Sequence, residues 1–111
     1  MEIQTKQLKR VDLVEVAGRI DGNSAPQLEA VLKTITDEER FRIVVDLSGV
    51  TYVSSAGLRT LVSYLKLCKR WNRGSLRLTG LQPQITEVLD MAGLVPLFDI
   101  YDNAVDAVGS F

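Results

Sequence analysis

The sequence predicts an α/β domain built on a mixed, mainly parallel sheet of about five strands flanked by about four helices. Three observations carry that expectation. The run Phe41-Arg42-Ile43-Val44-Val45-Asp46-Leu47 has a continuously apolar centre, the pattern of a strand covered on both faces. Segments of strand and helix periodicity then alternate along the chain, and right-handed crossovers would lay successive parallel strands side by side. Two alternating segments at the start, with only Lys9-Arg10 between them, add an antiparallel hairpin. A chain of 111 residues can bury one core without metal or disulfide support, so residues 1–111 read as a single domain.

The elements follow in order. Residues 2–8 set Ile3, Thr5 and Gln7 against Gln4, Lys6 and Leu8, and residues 11–18 carry Val11, Leu13, Val14 and Val16. Gly18-Arg19-Ile20-Asp21-Gly22-Asn23-Ser24 holds two glycines and three short polar residues, which marks a loop. Ser24 with Pro26 two residues on is a helix start signal, and Leu28, Val31, Leu32 and Ile35 recur at helical spacing behind it. Asp37-Glu38-Glu39-Arg40 ends that helix before the central strand, 41–47. A short loop leads into Val53-Ser54-Ser55-Ala56-Gly57-Leu58. Leu58, Leu61, Val62, Leu65 and Cys68 then mark a second helix that ends near Trp71-Asn72-Arg73-Gly74, with Gly74 as a left-handed stop. Leu76, Leu78 and Thr79 form a short strand, and Gln82 to Met91 a third helix with Pro83 in its first turn. Leu97 to Ile100 reads as the last strand and Asn103 to Val108 as the last helical segment.

Composition removes several function classes. Apolar residues make up 46% and charged residues 24%, as in ordinary soluble domains. No apolar run approaches the roughly 20 residues that span a bilayer, and Met1 to Arg10 lacks the apolar core of a signal peptide. A cytoplasmic location without membrane insertion is therefore expected. A net charge of −1 offers no electrostatic reason to expect direct contact with nucleic acid. The local cluster Lys66, Lys69, Arg70 and Arg73 reads as a solvated helix end whose cations complement the dipole. Cys68, the single cysteine, reads as a small buried hydrophobe, and Trp71 as a ring packed on the edge of the core.

The chain contains no histidine, which excludes Ser-His-Asp and Cys-His hydrolases and histidine-based zinc sites. Tyr52, Val53 and Ser54 precede Ser55, so the Gly-x-Ser-x-Gly elbow is absent, as are phosphate-loop and dinucleotide glycine motifs. Asp46 at a strand end and Asp21 in a loop are carboxylates without a pocket signal. No enzyme activity, metal or cofactor is expected. What remains is the serine junction. The first N–H groups of a helix lack internal partners and carry partial positive charge, so a hydroxyl there caps the helix at about 1 kcal/mol, and an anion there is favoured. The small side chains of Ser54, Ser55, Ala56 and Gly57 also leave the helix start open to a kinase or a partner helix. Phosphorylation would add about −1.5 to −2 charges, leaving the fold intact while repelling an acidic partner.

The segment Asp46-Leu47-Ser48-Gly49-Val50-Thr51-Tyr52-Val53-Ser54-Ser55-Ala56-Gly57-Leu58 resembles the signature of bacterial anti-sigma-factor antagonists, the small STAS domains. The resemblance covers nearly the whole chain, including Gly18-Arg19-Ile20-Asp21 and Met91-Ala92-Gly93-Leu94. It implies a STAS fold and a switch. Ser55 matches the serine phosphorylated in that family by an anti-sigma factor that is itself a serine kinase; a metal-dependent phosphatase of the PP2C type reverses the step. The unphosphorylated antagonist holds the kinase and frees the sigma factor. By the same resemblance Asp21, Ser54, Ser55 and Gly57 lie near the kinase-facing surface, whereas Val53 and Leu58 read as core. Many antagonists carry aspartate where this chain has Ser54, which makes Ser54 a rival acceptor. Two alternatives stand beside the switch: a non-switching STAS subunit of a larger signalling or lipid-transport assembly, and a weak nucleotide-binding domain or phosphohydrolase.

Overall fold

In the computed structural model, which describes residues 1–71 and 73–111, the chain order is β1 (Glu2–Gln7), β2 (Asp12–Ile20), α1 (Ala25–Asp37), β3 (Arg42–Val53), α2 (Ser55–Lys69), β4 (Ser75–Thr79), α3 (Pro83–Met91), a 3-10 turn (Val95–Leu97), β5 (Ile100–Tyr101) and α4 (Ala104–Gly109). The strands lie in the sheet in the order of the chain, β1-β2-β3-β4-β5; β1–β2 is antiparallel and the other three pairings are parallel. Parallel crossovers of one hand that all step in one direction must put their helices on one face. Accordingly Leu28 and Leu32 of α1, Leu61 and Leu65 of α2 and Ile85 and Leu89 of α3 pack in one core with Val14, Ile43, Val45, Leu47, Leu76 and Leu78. The opposite face belongs to α4, where Ala107 packs with Val11, Leu13 and Val44. This two-sided cover is why the centre of β3 is apolar without alternation.

Lys9-Arg10 does form the hairpin turn, closed by Leu8 N–H donating to the Val11 carbonyl at 2.9 Å. Arg40 ties that hairpin to the end of α1, its Nε 2.6 Å from Asp12 Oδ2 and its Nη2 2.8 Å from the Leu8 carbonyl. Cys68 is fully buried, and the exposed Trp71 stacks its ring on Phe41 at 4.7 Å and 9°. Val53 is buried and Leu58 half-buried against the core.

The structure departs from the sequence reading in four places. β3 does not end at Leu47 but continues to Val53, because Val50 and Val53 still bury toward the helices and pair with β2. β2 likewise runs through Gly18-Arg19 to Ile20, with register shifts between Glu15 and Ala17 and between Gly18 and Arg19 absorbing the mismatch. The final strand is not Leu97 to Ile100: Val95-Pro96-Leu97 coils into a 3-10 turn, Phe98 buries, and only Ile100–Tyr101 pairs with β4. At the end of α2 the left-handed residue is Arg73, φ 61°, and not Gly74. Gly74 is needed sterically, since a Cβ there would collide with the Cys68 carbonyl. Asn72, within that expected helix end, lies outside the described residues.

Burial pushes the Cys68 thiol up to about 12 from an ordinary 9.0. The folded state therefore keeps a proton that the unfolded chain releases, and its stabilising contribution, complete below pH 9.0, is lost as pH rises toward 12. Alkylation of Cys68 followed by intact mass at pH 8 should match the rate of global opening in hydrogen exchange. Rapid native-state labelling would contradict the burial.

Candidate functional site

β2 and β3 stay paired to their last residues, Ile20 opposite Val53, and the Ser54 N–H then donates to the Ile20 carbonyl at 2.7 Å. Two loops thus leave the carboxyl ends of neighbouring parallel strands together, the position where open α/β sheets carry their sites. One loop holds Asp21 and the other is the serine junction, so the structure brings these sequence-predicted residues to one end of the molecule.

The two serines are not equivalent. Ser54 has extended backbone, φ −82° and ψ 170°, and its Oγ accepts the Gly57 N–H at 3.3 Å, while its carbonyl takes the Leu58 N–H at 3.0 Å. It is the N-cap of α2. Ser55 is the first helical residue, its side chain is exposed, and no hydrogen bond holds its hydroxyl among the described residues. Gly57 is buried in the first turn: a Cβ there would lie 2.6 Å from Ile20 Cγ2 and 3.0 Å from Val53 Cγ1. It sets how deeply α2 sits on the sheet and offers no side chain to the surface.

Asp21 organises the neighbouring loop. Its Oδ1 accepts the Asn23 N–H at 2.9 Å and the Ser24 N–H at 3.0 Å, while Ser24 Oγ donates to the Arg19 carbonyl at 2.7 Å and accepts the Asp21 N–H at 2.9 Å. Ser24 is the N-cap position of α1 as its spacing suggests, but its hydroxyl turns back into the loop and makes no cap bond to the helix. The backbone N–H groups of Ser24 and then Asn23, with help from Arg19, hold the Asp21 carboxyl below its ordinary value of 3.8.

Beside this end of the molecule a groove of about 340 Å³ runs between α1 and α2, lined by Gly22, Pro26, Ala56, Arg59, Thr60 and Tyr64 among others. Sequence reasoning did not find this groove. It also missed the pair Arg19 and Tyr52, cross-strand neighbours at the ends of β2 and β3 whose guanidinium and ring stack at 4.2 Å. The alternation around Ile20 and Val53, both buried, was the available signal that Arg19 and Tyr52 share the other face. Asp46 is not part of the serine site: it pairs in register with Glu15 and Thr79, and its Oδ1 accepts the Ser48 N–H at 2.9 Å. Among the described residues no cluster of three or more histidine, cysteine or acidic side chains is arranged to hold a metal, and no helix is long and apolar enough to cross a membrane.

Fold and junction together define a small regulatory α/β domain. The STAS domain family matches residues 2–107, and the chain belongs to that family. It is 32% identical over 100 residues to the anti-sigma-B factor antagonist of Bacillus subtilis, covering 90% of each chain. It is 25% identical over 109 residues to the anti-sigma F factor antagonist of Paenibacillus polymyxa, covering 97% of this chain and 92% of that one. The fold superposes on an anti-sigma factor antagonist from Mycobacterium paratuberculosis with a TM-score of 0.85 at 24% identity, over 98% of this chain and 92% of that one. It superposes on the phosphorylated form of the Bacillus cell fate determinant SpoIIAA with a TM-score of 0.76 at 16% identity, over 98% and 97% of the two chains.

Urea denaturation should separate the roles at the junction. Ser54→Ala removes the cap and should cost about 1 kcal/mol, Ser55→Ala should stay within about 0.5 kcal/mol, and Gly57→Ala should cost about 1 to 3 kcal/mol through overpacking. Equal losses for the two serines would contradict this division. For Asp21 the lowered folded-state pKa means that its contribution is complete above 3.8 and fades as pH falls through the lower folded value. A carboxyl NMR titration should therefore place its midpoint below 3.8.

Proposed function

We propose that this chain is an anti-sigma factor antagonist controlled by phosphorylation of Ser55. Unphosphorylated, it binds an anti-sigma factor with serine-kinase activity and so frees the sigma factor; phosphorylated, it lets go. The carrying observation is the division between the two serines. Ser54 spends its oxygen on the Gly57 N–H, whereas Ser55 presents an exposed hydroxyl at the first position of α2. Ser55 is therefore the better acceptor despite its rival. The relatives named above, both antagonists of anti-sigma factors, support the same reading.

The chain supplies only the nucleophile. A bond forms between Ser55 Oγ and the γ-phosphorus of ATP, the bond to the ADP leaving oxygen breaks, and the hydroxyl proton passes to a base on the kinase. In this reading the working chemistry belongs to the partner, and the protein acts as a binding switch without enzyme activity of its own. Phosphate at this point adds about −1.5 to −2 charges beside the N-terminal dipole of α2, which tolerates them, so the fold survives. The contact surface does not, because bulk and charge are inserted where Asp21, Ser54 and Ser55 would meet the kinase. Gly57 contributes by letting α2 seat at the correct depth. A PP2C-type phosphatase would restore the hydroxyl. Such reactions would take place in the bacterial cytoplasm, where ATP and sigma factors are.

Peptide mass spectrometry on protein isolated from its native cells should map phosphate to Ser55 and find none in Ser55→Ala. Ser55→Glu should fold with an unchanged far-UV spectrum yet fail to capture the kinase in a pull-down. Absence of phosphate under every growth condition, with capture of membrane transport subunits, would assign the chain to a constitutive assembly.

A further inference from the structure

The end of the sheet remote from Ser55 carries a second concentration of charge. Arg10 in the β1–β2 turn, Arg42 at the start of β3, Arg73 ahead of β4 and Arg77 within β4 converge on a cleft of about 320 Å³, which the Phe111 ring also lines. Four separate segments of a chain with net charge −1 thus bring guanidinium groups to one place. The acidic groups nearby leave most of that charge uncompensated. Asp12 is occupied by Arg40 at 2.6 Å, and Asp99 Oδ2 stands 3.7 Å from Arg77 Nε. Glu39 lines the adjoining pocket with Arg10, Arg40 and Arg42. Among the described residues no carboxylate comes within 4.0 Å of Arg10, Arg42 or Arg73.

Arg77 shows that the cleft is built. Its side chain is only 19% exposed, its Nη1 donates to Ser110 Oγ at 2.5 Å, its guanidinium lies 4.1 Å from the Phe111 ring centroid, and its buried Nε makes no hydrogen bond. Among the described residues Asp99 is the one carboxylate facing Arg77, and it is itself exposed, so the three further arginines that line the same cleft lack a counter-ion that a bound anion would supply.

We propose that this cleft binds a phosphate-bearing anion of the oligophosphate class. Arginine forks match phosphate oxygens two at a time, and four of them around one small cleft suit a ligand with several oxyanion groups. The volume is at the lower end of small-ligand sites, which fits a short phosphate chain. One face of the Phe111 ring already carries the Arg77 guanidinium, and the arginine forks of the lining match a phosphate chain. Arg10 and Arg42 lie too far along the chain from Lys66, Lys69 and Arg70 to be read with them, and only the strand register unites the set.

Isothermal titration of the full chain with sodium pyrophosphate, at ionic strength held constant with sodium chloride, tests the site. One saturable event is expected, weakened about tenfold or more by Arg42→Gln and by Arg10→Gln and unchanged by Lys66→Gln. Arg10 sits in an exposed turn, so its variant keeps the test valid if Arg42→Gln disturbs folding. ADP that binds no more tightly than pyrophosphate, with the same dependence on Arg42, confirms recognition of the phosphate chain. The proposal is overturned by no saturable heat up to about 10 mM pyrophosphate. It is equally overturned by a loss shared with Lys66→Gln, by ADP binding that survives Arg42→Gln, or by a glutamate-rich peptide that binds more tightly than pyrophosphate.

Discussion

The pairing of β2 with β3 governs the rest of the molecule. It is parallel, it runs from Asp12–Ile43 to Ile20–Val53, and it survives two register shifts on the way. Had the pairing stopped at the level of Leu47, the Asp21 loop and the serine junction would leave the sheet at different heights. Because it continues, the Ser54 N–H reaches the Ile20 carbonyl, and Ile20 becomes the floor on which the first turn of α2 rests. Gly57 is the counterpart of that floor. The close approach of helix to strand and the exposure of Ser55 are two results of one contact.

In the same region backbone geometry divides the two hydroxyls of the junction. Ser54 satisfies an N–H group that the helix itself cannot, and its neighbour is relieved of that task. Asp21 does equivalent work in the adjoining loop, accepting two backbone N–H groups at distances typical of carboxylate bonds. Two loops held by side-chain-to-backbone hydrogen bonds flank the exposed Ser55 hydroxyl.

Much of this was legible from residue order. The alternation of periodicities and the apolar centre of β3 sufficed for the fold class, and the small residues at 54–57 marked the junction that the structure places at the start of α2. Four things were not legible, each for a physical reason. The polar stretch Ser48 to Tyr52 hid the second half of β3, since Ser48, Gly49, Thr51 and Tyr52 face solvent while Val50 and Val53 alone carry the buried face. The difference between Ser54 and Ser55 depends on the phase at which α2 begins, and that phase is set by where β3 ends. The apolar letters of Leu97 to Ile100 suggested a strand, yet Pro96 and the burial of Phe98 curl that segment first. The arginine cleft was scattered over positions 10, 42, 73 and 77 and exists only through register.

The agreement between sheet order and chain order bears on how the domain is made. Every strand is placed beside the one synthesised just before it, so each pairing closes a loop no longer than a helix and its turns. Loop-closure entropy grows slowly with length and is smallest for such neighbours. The sheet can thus lengthen by one strand at a time as the polypeptide leaves the ribosome, with the β2–β3 frame of the serine junction in place before α4 arrives to cover the second face.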